Sequence, residues 1–86
     1  MHITETPIYK AATAALEAKI YLEDEVKRAY DAALKQPRGE EQMAISFYYL
    51  SLCGDLKAVE QYYAETTMNL IVACRALGIE PTIPTA

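Results

Sequence analysis

Between Ile45 and Leu77 the chain advances in alternating steps of four and three: Ile45, Tyr49, Leu52, Leu56, Val59, Tyr63, Thr66, Leu70, Ala73 and Leu77. Nine of these ten residues are apolar or aromatic, and none is charged. An α-helix turns once in about 3.6 residues, so this spacing draws one continuous apolar seam along a helix, as in a coiled coil. Alternation by two, the mark of a half-buried strand, is not the pattern. A long helix with one face to bury is therefore the first constraint on the fold.

The same spacing recurs earlier, at Ile8, Ala12, Ala15, Lys19, Leu22, Val26, Ala29 and Ala33, where seven of the eight are apolar and most are alanine. Small side chains on one helix let a second helix carrying Tyr and Leu approach closely. The terminators between and around the two seams are explicit. Thr6-Pro7 suits a helix start, because threonine can cap free amides and a proline in the first turn sacrifices no hydrogen bond. Pro37 disfavours helical geometry at Gln36, so the first helix should end near Lys35. Glu40 and Glu41 then put negative charge where the dipole of a new helix favours it. At the far end, Gly78 followed by Ile79 and Pro81 reads as a left-handed glycine cap, with Arg75 in the last turn.

These signals predict an all-α fold, an antiparallel helical hairpin with helices over about 7–35 and 40–77. It forms a single domain over 1–86, with flexible ends at 1–6 and 79–86. Gly54 leaves an alternative open, a three-helix bundle with a break at that glycine. The seam holds its phase from Leu52 to Leu56, which favours one unbroken helix.

At about 1.5 Å per residue the two helices would measure about 43 Å and 57 Å, so the second should outrun the first by about nine residues. That overhang, Asn69 to Leu77, is the most apolar part of the chain. It calls for a cover: a second copy, another protein, or the N-terminal arm with Ile3. Phe47, Leu50, Met68, Ile71 and Val72 lie off the seam of helix 2, as Leu16 and Ile20 do on helix 1. Two helices cannot bury these stripes and the seams together, which points to self-association, most simply as a homodimer, into a helical bundle, or to a dedicated protein partner held on an apolar helix face. Phe47, Leu50, Met68, Ile71 and Val72 are accordingly the candidate partner-binding residues.

Little in the chain points to chemistry. His2 is the only histidine, so no Ser/His/Asp or Cys/His arrangement can be built within one chain, nor the paired Glu-x-x-His motifs of a helical di-metal site. There is no glycine-rich phosphate loop. No enzyme, cofactor or metal is therefore expected. The net charge is −4, and from Glu40 to Gly78 five acids stand against Lys57 and Arg75 alone. Nucleic acids and anionic membranes require a basic face, so neither is expected as a partner. The run Glu23-Asp24-Glu25 reads as a charged helix face, with Lys27, Arg28 and Lys35 four residues beyond Glu23, Asp24 and Asp31. Cys53 and Cys74 have no metal or redox spacing, and on one helix they are about 31 Å apart, too far to bridge. The first residues lack a secretory signal pattern, and the longest uncharged run, Gln42 to Gly54, has 13 residues, too few to span a bilayer. A cytoplasmic setting is the expectation.

In outline such a hairpin resembles plasmid copy-number regulators, secretion needle subunits and their co-chaperones, and small phage inhibitors, a likeness of shape without a shared motif. The expected function is a non-enzymatic protein–protein interaction module, oligomeric or half of a helical complex. The alternative is a small inhibitor that binds and blocks a larger protein.

Overall fold

Thr6 and Pro7 open the first helix as their chemistry dictates. In the computed structural model, which describes residues 2–85, the Thr6 hydroxyl accepts a hydrogen bond from the Tyr9 amide at 3.3 Å and donates one to the Ile3 carbonyl at 2.6 Å. Helix α1 then runs from Pro7 to Lys35. Gln36 takes extended geometry (φ −79°, ψ 138°), as the following proline requires. Helix α2 begins at Glu40 behind Gly39, whose φ of 155° lies outside the range of ordinary side chains. With no side-chain cap there, the acids Glu40 and Glu41 face the free amides of the first turn.

α2 continues to Ala76 without interruption, so the break at Gly54 does not form. Gly54 is exposed, and a Cβ placed on it would meet nothing within 4 Å. The helix ends in the glycine cap that its sequence announces. Gly78 adopts φ 73°, its amide bonds the Arg75 carbonyl at 3.1 Å, and the Ile79 amide bonds the Cys74 carbonyl at 3.0 Å. These are the two hydrogen bonds of a Schellman motif.

The two helices pack side by side as an antiparallel hairpin, a rod of 58 × 17 × 16 Å. The seams meet as their spacing predicts. On α1, Ala12, Ala15 and Ala29 are buried, and Lys19, Leu22, Val26 and Ala33 are half-buried; only Ile8, at the second position, stays open. On α2, Leu52, Thr66 and Leu70 are buried, and every other seam position except Leu77 is half-buried. Leu77 is the residue after the last helical turn and is exposed. Towards the turn the Tyr30 and Tyr49 rings meet, their centroids 5.6 Å apart and their planes inclined at 49°.

The expected bare overhang takes a different form. Ile3–Glu5 makes a 3-10 turn before α1, capped by His2, whose Nδ1 accepts from the Thr4 amide. Ile3 is buried and packs with Ala12, Leu70 and Cys74, while Tyr9 and Ala73 lie against the cluster. Leu70 and Cys74 are the two large side chains with no remaining exposure. Of the three covers the sequence allowed, the N-terminal arm is the one seated on the inner face of the end of α2. At the other end of the chain Pro84 is also buried.

The charged face of α1 differs in detail from the expected pairing. Glu23 pairs backwards with Lys19 (3.0 Å) rather than forwards with Lys27, and Arg28 is shared between Asp24 (2.9 Å) and Glu25 (3.3 Å). Lys19 sits on the half-buried seam beside Glu23, where its ammonium also reaches an aromatic face, whereas Lys27 is exposed.

Candidate interaction face on helix α2

A helix that buries one seam presents its opposite side to solvent, and on α2 that side is apolar in two places. Met43, Phe47 and Leu50 follow the same four-and-three step as the seam, half a turn away from it. Met68 and Val72 continue the stripe nearer the C-terminal end. Leu50 and Met68 are separated by 18 residues, five whole turns, so they share a face about 27 Å apart. All five are between 57% and 64% exposed. Between the two patches the stripe carries Gly54, Lys57, Gln61 and Ala64, all exposed.

The five candidate residues thus separate into two groups. Phe47, Leu50, Met68 and Val72 lie open on the outer stripe. Ile71 is half-buried, on the shoulder between stripe and seam. Met43 belongs with the open group and was not among the candidates, although its step of four to Phe47 is visible in the sequence.

The tyrosine doublets divide between the two sides of α2. Tyr49 and Tyr63 turn inward, against Tyr30 and under the Lys19 ammonium, while Tyr48 and Tyr62 remain exposed. Tyr62 borders a shallow groove of about 280 Å³ with Pro7, Ile8, Ala11, Thr66 and Asn69, where α1 begins. Glu23 raises the Lys19 pKa above its ordinary 10.5, first by accepting its hydrogen bond and then by direct charge attraction. The Tyr49 phenol is also pushed upward, chiefly by interaction with the Cys53 thiol one turn along, and further by burial. Both shifts belong to the helix–helix seam.

Cys53 and Cys74 are both free thiols, the first half-buried and the second buried. Among the described residues no group of three or more His, Cys, Asp or Glu side chains is placed to hold a metal ion. Among the described residues no helix is long and apolar enough to cross a membrane.

The surface area shows what the hairpin leaves undone. The chain exposes 6249 Å². A compact protein of its 9.6 kDa would expose about 5,100 Å². A two-helix rod has no third layer, and the surplus of about 1,100 Å² is what its elongated shape leaves exposed. Comparisons with protein-family models, with curated proteins and with solved structures each give no match.

Proposed function

We propose that this protein is a non-enzymatic interaction module, working as a homo-oligomer or as half of a helical complex. The observation that carries the reading is the open apolar stripe of α2, set behind a thin core. Three of the seven buried apolar residues are alanine and one is cysteine. A core of that size holds a small domain only marginally, and a further helical layer is the usual remedy. Exposed apolar patches aligned on one helix face of a small helical protein mark where another protein sits. The acidic balance of α2 favours a protein partner over a nucleic acid. Two unbridged cysteines suit a reducing, cytoplasmic setting.

The test is solution mass by sedimentation together with thermal melting across a hundredfold range of protein concentration. Association makes the melting temperature rise with concentration. A monomer that melts high, at a temperature independent of concentration, would overturn the reading, because such a hairpin needs no partner.

A further inference from the structure

We infer that the N-terminal turn, residues 2–5, is a strap that swings off the end of α2 as a unit while the hairpin stays folded. It thereby controls access to the inner face of α2 at Leu70 and Cys74. The inference does not depend on which surface meets a partner.

The strap is self-contained. The Glu5 amide bonds the His2 carbonyl at 3.0 Å, and the Thr4 amide bonds His2 Nδ1 at 3.3 Å. The Ile3 carbonyl accepts from the Thr6 amide at 3.1 Å and from the Thr6 hydroxyl at 2.6 Å. Among the described residues, no hydrogen bond or ion pair joins the turn to α2. What holds it there is the Ile3 side chain, packed in a cluster with Ala12, Leu70 and Cys74. Undocking therefore strands no buried amide or carbonyl, which is the penalty that usually keeps a segment in place. It forfeits apolar burial alone.

The surroundings leave the strap room to move. A cleft of about 470 Å³ lies between His2 and Ile3 on one side and Leu77, Ile79, Glu80 and Thr82 on the other, so the C-terminal residues do not clamp the turn. Thr6 alone connects it to α1 and has extended backbone (φ −81°, ψ 151°). The Thr6 carbonyl is already fixed by the Lys10 amide at 3.1 Å, as the first bond of α1, so the swing is taken up at Thr6 and leaves the helix intact. Separating α1 from α2, by contrast, means opening the whole seam from Ala12 to Ala29. A segment held by one side chain opens far more often than the body it rests on. With the strap seated, Leu70 and Cys74 have no exposure at all; with it raised, that face meets solvent.

The buried Cys74 thiol supplies the reporter. In the full chain carrying Cys53→Ala, Cys74 is the only thiol, and its reaction with dithiodipyridine is followed at rising urea, with reagent dilute enough that the rate is proportional to its concentration. Local opening exposes little surface, so the rate should be nearly independent of urea until global unfolding takes over. Ile3→Ala should raise this flat branch at least about tenfold, since deleting buried methyl groups weakens only the closed state. Gly78→Ala, which loosens the cap of α2 without touching the strap, should leave it within about twofold. A rate that follows the full urea dependence of unfolding from the start would refute the strap, because the thiol would then be reached only by unfolding the hairpin. A flat branch that responds to Gly78→Ala and not to Ile3→Ala would refute it as well, assigning the exposure to fraying of α2.

Discussion

The Lys19 ammonium lies 5.5 Å from the centroid of the Tyr63 ring and 3.0 Å from the Glu23 carboxylate, so the single charged position in the α1 seam is held by a cation–π contact and an ion pair at once. A lysine in an otherwise apolar stripe is tolerated because its stem packs while its head stays partly in water. Its pKa is raised, so the charged form binds more favourably in the folded state than in the unfolded one. The contribution is fully present below the unfolded value of 10.5 and is lost as pH rises through the higher folded value. Lys19→Gln should lower the melting temperature at neutral pH, and the gap between the two proteins should close above that range. Melting curves at pH 7 and at strongly alkaline pH check it. A gap that persists unchanged would show that stem packing, rather than charge, is what the substitution removes.

Two glycines predict opposite outcomes for the same substitution. Gly54 lies inside α2 with open space where a Cβ would go, so Gly54→Ala should stabilise the fold by up to about 1 kcal/mol. Gly78 holds φ 73°, a left-handed conformation that costs other residues about 1 kcal/mol, and Gly78→Ala should destabilise by that amount. Urea denaturation of the two variants beside the wild type makes the comparison directly.

Ile3 should matter more than its place near the start of the chain implies. It is buried against Leu70 and Cys74, whose side chains are otherwise the most completely enclosed in the hairpin. Ile3→Ala should cost about 2 kcal/mol or more, the range for deleting buried methyl groups. Hydrogen exchange should show the loss concentrated at the C-terminal turns of α2. An unchanged melting temperature would mean that the N-terminal turn does not act as the cover.

Thr66 and Thr67 are neighbours with different accounts. Thr66, on the seam, donates its hydroxyl to the Tyr63 carbonyl at 3.0 Å. The Thr67 hydroxyl oxygen is buried without a hydrogen-bond partner. Leaving such a group unpaired costs about 1–3 kcal/mol, whereas replacing it with an apolar group of the same shape removes that cost. Thr67→Val should therefore raise the melting temperature, and Thr66→Val should gain less. Equal effects would indicate that the Thr67 hydroxyl finds water.

The helices themselves were legible in the sequence because their determinants are local. Thr6-Pro7, Gln36-Pro37, Glu40-Glu41 and Gly78-Ile79 each act within a few residues, and each bounds a helix within a residue of where it was expected. The seam was legible because helical periodicity is a property of one segment: Ala12, Ala15, Leu52 and Leu70 are buried where the four-and-three step places them. The outer stripe was readable in part by the same rule, which reached Phe47, Leu50, Met68 and Val72 and could have reached Met43.

What periodicity does not encode is how two distant segments align, and there only the tertiary structure decided. The cover over the end of α2 depends on the path of the residues before Pro7, which bring Ile3 to Leu70 and Cys74 across more than sixty positions of chain. The same alignment turned Glu23 towards Lys19 instead of Lys27, by setting Lys19 against Tyr63. It also drew Ile71 partly into the body of the hairpin and left Leu77 outside it. Helix formation and facing follow from spacing along one segment. Register and end-capping follow from packing between segments, where a shift of one turn changes every neighbour while leaving each pattern intact.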